Sequence, residues 1–516
     1  MQPQEKSLAE VGCGALVGVE AIPVLVQATV RGDSSGAPRI LGSVDAVVRE
    51  AYHRVLAAFR AQHLPGPRGA PVLNFVPAEL RKTGAGFDLP MALALAAADG
   101  FLPARCVRGL AAFGELTLDG SVRPVPGVVP IALAARRRGF ARLLAHPDDA
   151  RRAAVVAGLE VIGVASLGEA VLGLAGRSGP LLAADPVDAL DALRQLAARG
   201  PRLDLADLRG HRTPKLALAV AAAGRHDLLF VGPPGSGKSA LLRRLGDLLP
   251  PVDRVECLEI LKIHSILGVD AALARSGRPF RAPHHSSSAA SVLGGGSDPR
   301  PGEVTLAQHG LLFLDELPEF RREVLEGLRQ PLEDRRVTIG RARRTVTMPA
   351  DFLLVAAMNP CPCGHAGDPR RDCRCTDADR RRYRARVSGP LLDRIDLRVE
   401  VPGLPPEAFR AAAEPDLSSA SLGERVERAV ARQRERNPGQ TPNGRLDGPA
   451  LEAAFGSGDA IRTALDDSMR AMRLSGRGRV RVMRVARTLA DLDDRDAVEA
   501  GDVRRAVRLR APLLEP

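Results

Sequence analysis

The residues with the plainest chemical use are Gly232-Pro233-Pro234-Gly235-Ser236-Gly237-Lys238-Ser239. Glycines at this spacing let backbone N–H groups curl around phosphate oxygens, so the segment would hold the phosphates of ATP. Lys238 then reaches the β- and γ-phosphates and Ser239 holds Mg²⁺. The flanks suit this use: the apolar run Leu228 to Val231 reads as a strand, and Ala240 to Leu245 as a helix whose positive end faces the same anion. A second apolar run, Leu311 to Leu314, delivers Asp315 and Glu316 at its carboxyl end, the place where open α/β sheets bind ligands. Asp315 can bind Mg²⁺ through water while Glu316 polarises the attacking water as general base, although an acidic pair there could also serve only as a helix cap. A third run, Phe352 to Met358, ends in Asn359, whose amide can orient water against the γ-phosphate or simply turn the chain before Pro360.

Phosphoryl transfer develops negative charge that a cation must meet, commonly an arginine from a neighbouring subunit. Arg394, in Ser388-Gly-Pro-Leu-Leu-Asp-Arg-Ile-Asp396, is the candidate finger, with ion pairing to Asp393 or Asp396 as its structural alternative. Arg484 and Arg487, one helical turn apart, could bring a further cation onto the phosphates and report nucleotide state to a lid. Cys361, Cys363, Cys373 and Cys375 crowd a short loop with His365 and could gather a soft tetrahedral ion such as Zn²⁺. Free thiols are the other reading, because C-x-C is tighter than the commoner C-x-x-C. Alternation in Val337 to Ile339 and Thr345 to Met348 brackets Gly340-Arg-Ala-Arg-Arg344, which reads as a hairpin with a cationic tip, either tracking a phosphate backbone or solvated. His284 and His285 open a Ser- and Gly-rich stretch read as a loop and not as a metal site.

These groups must be held by separate modules, since 516 residues exceed one core and suit roughly three domains. Residues 1–178 mix short alternations with helical patches and form an α+β module. A linker, 179–203, carries a short helical stretch from Pro186 to Ala198. In 204–402 apolar strands alternate with helical stretches, which implies a doubly wound parallel sheet, and 403–516 turns almost wholly helical. With 45% apolar and 26% charged residues the composition is that of a soluble globular protein. No run approaches the ~18 apolar residues of a membrane span, and the first residues lack a secretory signal, so the expected location is cytoplasmic. The net charge of +12 is compatible with a polyanion partner. Lysine occurs only at positions 6, 82, 215, 238 and 262, however, so arginine-rich coding bias would produce the same balance. Few aromatics, 3% with no Trp, leave little for base stacking.

In combination, Phe280-Arg-Ala-Pro-His-His285, Pro301-Gly-Glu-Val-Thr-Leu-Ala307, Gly310 to Phe320, Ala357-Met-Asn-Pro-Cys-Pro-Cys-Gly364 and Ser388 to Asp396 resemble the YifB/ComM family of magnesium-chelatase-like AAA+ ATPases over nearly the whole chain. The resemblance implies an AAA+ P-loop domain with a C-terminal helical lid. It gives Arg394 weight as the finger, Asn359 as first sensor and Arg484 as second sensor. It also implies a homo-hexameric ring; ComM members are linked to helicase-type branch migration of single-stranded or branched DNA during natural transformation. A metal-insertion ATPase like the magnesium-chelatase motor, or a non-motor remodelling protein, are the rival functions. The first module looks like the proteolytic domain of Lon, with Gly86 where the catalytic serine would lie and Val129 in place of the lysine, so an inactive platform is expected. Leu41-Gly-Ser-Val-Asp45 departs from the family's usual Gly-Leu-Pro-Asp.

Overall fold

Leu228–Val231, Leu311–Leu314 and Leu353–Met358 carry no polar side chain, and every position in them is buried. A strand with one wet face would alternate; continuous burial requires cover on both faces, as in a parallel sheet. The computed structural model describes residues 8–31, 37–198, 203–268, 273–274, 276–296, 299–341, 344–368, 370–409, 414 and 417–510. In it these strands pair in parallel within a five-stranded sheet. The order across the sheet is Phe280–Arg281, Leu311–Leu314, Leu353–Met358, Leu228–Val231 and Leu397–Glu400. The strand that precedes the glycine-rich loop therefore lies between the fourth and fifth strands in chain order, so the chain leaves it toward one edge of the sheet and leaves its neighbour Leu353–Met358 toward the other. That is the switch point at which such sheets open a ligand crevice.

By chain contacts the molecule divides into two units: residues 1–193 with 257–271, and residues 194–256 with 272–516. The sheet just described belongs to the second, and its apolar core continues without a break into the C-terminal helices. Leu228, Val355 and Leu397 share that core with Val426 from helix Ser419–Arg436, and with Val482 and Leu489 from helix Gly476–Leu492. Arg336–Arg341 and Arg344–Pro349 form the expected antiparallel hairpin, paired to Arg341 opposite Arg344. The tip residues Ala342 and Arg343 lie outside the described residues.

The first unit holds a mixed seven-stranded sheet. Ala9–Val17 pairs antiparallel with Glu20–Arg31 on one side and parallel with Leu110–Phe113 on the other. Helix Asp88–Ala98 is buried along its whole length, and Arg54 meets the buried Asp88 carboxylate through Nε at 2.8 Å and Nη2 at 2.9 Å. Gly86 sits just before this helix, where an added Cβ would lie 2.2 Å from the Phe113 ring, and Val129 is buried in helix Val128–Arg137. Neither position presents a nucleophile or a base. Lys82, buried close by, donates to the carbonyls of Phe75 and Pro77, which fixes the loop it spans. Among the described residues, no helix is long and apolar enough to cross a membrane.

Candidate nucleotide-binding site

Parallel strands bring their carboxyl ends to one edge of the second unit's sheet. Val231 runs into Gly232–Ser239, Leu314 into Asp315 and Glu316, Met358 into Asn359, and Arg281 into His284 and His285. Three of the loop's glycines are required by geometry. Gly235 and Gly237 have φ of 72° and 88°, and a Cβ on Gly232 would lie 2.1 Å from the Val401 carbonyl oxygen. Lys238 Nζ donates to the carbonyls of Gly232 at 2.7 Å and Pro233 at 2.8 Å, and lies 3.3 Å from Asn359 Oδ1. Burial outweighs the nearby Asp315 charge and depresses the Lys238 ammonium to about 8. Ser239 Oγ donates to Asp315 Oδ2 at 2.7 Å, so a hydroxyl and a carboxylate stand side by side, the hard oxygen donors that Mg²⁺ selects. The expected cradle residues thus converge, with Asn359 touching the lysine.

Glu316 adopts φ 52° and ψ 48°, a left-handed conformation that is costly for a residue with a side chain and recurs at functional sites. Its Oε2 lies 3.2 Å from Nδ1 of His285, whose ring meets the edge of Phe320 at a centroid distance of 6.4 Å. Sequence reading assigned His285 only to a loop. The available signal was its place directly after a strand of the parallel sheet, at the edge where the acids emerge.

Arg394 and Arg484 lie at the other edge. Both line a cleft of about 640 Å³ with Asp227, Asp351 and Asp396, the residues that precede strands of the sheet at their amino ends. Four residues of strand separate Asp227 from the glycine-rich loop, roughly 13 Å at the rise of a parallel strand. Neither arginine therefore reaches the loop of its own chain. The expectation for Arg484, a cation brought onto the phosphates, is thereby narrowed: the phosphates are not those of its own chain. Arg394 is nine-tenths buried, donates to Pro390 O at 2.8 Å and pairs with Glu333. Its supposed ion partners are engaged elsewhere: Asp393 faces Arg398 at 3.7 Å, and Asp396 faces His226 at 3.2 Å and Arg481 at 2.8 Å. Arg487 is also corrected. It is 1% exposed, pairs with Asp491 at 2.9 Å and donates to the carbonyls of Asp496 and Arg495, a role in packing the C-terminal helices.

The Cys361, Cys363, Cys373 and Cys375 thiols all lie within 4.8 Å of one another, and none is joined to another. Sulfurs of Cys361, Cys363 and Cys373 are 3.4 to 3.6 Å apart. A regular tetrahedron of Zn–S bonds places its sulfurs about 3.8 Å apart, so the donor set fits that ion. His365 is not in the cluster; it faces Asp368 at 3.2 Å.

A P-loop at the switch point of a parallel sheet, an acidic pair at the same edge on the next strand but one and a helical module sharing the same core define a P-loop protein of the AAA+ class. Family models agree: "Magnesium chelatase, subunit ChlI" matches residues 204–409, "Subunit ChlI of Mg-chelatase" residues 26–149, and the ChlI C-terminal model residues 416–510. An uncharacterized protein of Mycobacterium tuberculosis is 40% identical over 506 residues, covering 96% of this chain and 97% of its own. YifB of Escherichia coli is 37% identical, covering 98% and 97%, and the competence protein ComM of Haemophilus influenzae is 37% identical, covering 98% of both. The chain belongs to the YifB/ComM family of magnesium-chelatase-like AAA+ proteins.

Proposed function

We propose that the chain hydrolyses ATP as a subunit of a homo-hexameric ring that moves on single-stranded or branched DNA in the cytoplasm. In this reading it acts as a helicase in recombination during natural transformation. The observation that carries it is the division of charge between the two edges of one sheet. Lys238, Ser239, Asp315, Glu316 and Asn359 gather at the carboxyl edge, while Arg394 and Arg484 face a cleft at the amino edge. A triphosphate held at one edge gains the arginines only from the amino edge of an adjoining copy, and a ring supplies that arrangement to every subunit. Ser239 and Asp315 would hold Mg²⁺, which when bound neutralises phosphate charge, and the four thiols would hold a structural Zn²⁺. Glu316 would take the proton of the attacking water, and Asn359 would align that water.

DNA as substrate is supported by the net charge of +12, by the basic hairpin and by the likeness to a competence protein. The test is ATP turnover with and without forked or single-stranded DNA, with strand displacement followed in parallel. DNA should raise turnover, and Glu316→Gln should abolish both signals; DNA-indifferent turnover without strand movement would overturn the reading. The family models' namesake favours a second reading, metal insertion into a porphyrin. Chelation assayed on the same preparation separates the two.

A further inference from the structure

The loop that carries the four thiols stands beside the nucleotide loop and meets it at Gly364. The turn Cys361–Gly364 begins two residues after Asn359 and is closed by Gly364 N–H donating to Cys361 O at 3.0 Å. Ala366 N–H donates to Cys361 Sγ at 3.4 Å, which ties the turn to the first thiol. Gly364 has φ 84°, and a Cβ there would come within 2.6 Å of Pro234 Cδ, in the middle of the phosphate loop. On the far side, Thr376 caps helix Asp377–Arg384 directly after Cys375. That helix carries the buried Tyr383, whose phenol meets the backbone of Asn359 and is pushed by burial to about 12. Just beyond it Arg386 pairs with Glu319 at 2.9 Å, in the turn that follows Glu316. The segment from Cys361 to Arg386 thus runs from the phosphate loop, past Asn359, to the acidic turn. Among its described residues, the four thiols and the contacts of Asp368 with His365 and Arg370 gather the loop before the helix, and a loop built of so few apolar side chains gains from a staple.

We infer that a tetrathiolate Zn²⁺ on Cys361, Cys363, Cys373 and Cys375 is a positioning element of the ATP site, fixing Asn359 and Pro234 so that turnover depends on the ion. In this role the ion would act by holding the chain and would take no part in the reaction itself. This rests on the proposed ATP hydrolysis, and its two halves are read by different instruments.

The full-length chain is purified from zinc-supplemented cells, its metal content measured by mass spectrometry, and a Co²⁺-exchanged sample examined for thiolate-to-metal absorption. About one zinc per chain and a tetrahedral thiolate spectrum are expected. Cys373→Ser should lose the ion, and kcat for ATP should fall by about tenfold while KM moves less than about threefold. Cys375→His, which leaves a Cys₃His set, should keep both ion and turnover. If Cys373→Ser does not fold, Gly364→Ala decides: it leaves all four thiols in place but crowds Pro234, so the zinc should stay while kcat falls. A native chain with neither zinc nor a cobalt spectrum overturns the site. Zinc loss, or Gly364→Ala, with kcat intact overturns the coupling. One zinc per chain with no ATP turnover in the native protein would instead sink the hydrolysis reading, and the coupling with it, and leave the ion standing.

Discussion

At the carboxyl edge of the five-stranded sheet, charge is sparse and the backbone does most of the work. Glycines shape the loop, Lys238 donates to two carbonyls, and Glu316 sits in a costly left-handed conformation. At the amino edge, charge is dense, and acids and arginines face one another. Asp396 is held well below the usual carboxylate range, because burial, which would raise it, is outweighed by the hydrogen bond from His226 and the charges of Arg481 and Arg484. Asp351 is pulled down to about 2 by Arg225, Arg445 and Arg335 against the same burial. One edge gathers glycines and a lysine, and the other holds its arginines among acids. The lesson is that a network of acids can preorganise arginines for use elsewhere, since each acid removes a way for the cleft to collapse or for a guanidinium to swing.

Breaking either edge should stop the reaction, by different routes. Arg394→Ala is expected to lower kcat by roughly 10³–10⁵, the usual worth of an arginine finger, with ATP binding retained in a fluorescent-nucleotide titration. Lys238→Ala should abolish binding in that titration. The sharper measurement mixes the two inactive variants. Where an intact Arg394 from a Lys238→Ala chain adjoins an intact loop of an Arg394→Ala chain, hydrolysis returns. Co-assembly without any recovery would show that the two edges do not meet across a subunit boundary.

Arg484 and Arg487, one helical turn apart, should separate chemistry from stability. Arg487→Ala removes one of the two arginines paired with the buried Asp491 and leaves the carbonyls of Arg495 and Asp496 without their donor. Breaking a buried pair costs about 3–5 kcal/mol, so a large drop in melting temperature is expected. Arg436 at 2.7 Å and Asn443 at 2.7 Å stay on Asp491 and limit the damage. Arg484→Ala should melt near the native temperature yet lose on the order of 10²-fold in kcat. Equal melting curves for the two variants would put Arg484 in the packing as well.

The phosphate loop was legible in the sequence because phosphate binding demands glycine at particular positions, and Gly232, Gly235 and Gly237 leave a pattern that few other structures need. Burial on both faces made the parallel strands legible in the same way. The arginines were less so. Helical spacing put Arg484 and Arg487 together, but which of them faces the cleft depends on Asp491 and on carbonyls at residues 495 and 496. Arg394 has its partner Glu333 sixty-one positions earlier, a pairing no local pattern reveals. The cysteine spacing announced a cluster, whereas the approach of the neighbouring Gly364 to Pro234 is a property of the folded sheet edge.

A smaller effect tests how the carboxyl edge is tuned. Lys238 is depressed to about 8 in the protein, and a triphosphate must raise it by supplying negative charge. Above that pH the free protein carries a neutral lysine and must take up a proton to bind ATP. Affinity should therefore weaken as pH rises from about 8, by up to tenfold per pH unit, and be flat below it. Calorimetry at pH 9 in buffers of differing ionisation enthalpy should register this uptake. A pH-independent affinity up to pH 10 would mean that Lys238 stays charged without ligand.

The smallest expected effect concerns His285. Its pairing with Glu316 at 3.2 Å involves side chains that are 35% and 55% exposed, and pairs of that kind are worth about 0–1 kcal/mol, which caps any kinetic effect near fivefold. The direction is informative. If the contact parks the Glu316 carboxylate, His285→Ala releases it and turnover without DNA rises by a few fold; if the contact aligns Glu316 for the attacking water, turnover falls by a similar factor. The strained Glu316 backbone favours parking, because it already aims the side chain without help from a neighbour. A rise in basal kcat with KM unchanged is therefore expected, and a fall would assign alignment of the general base to the histidine.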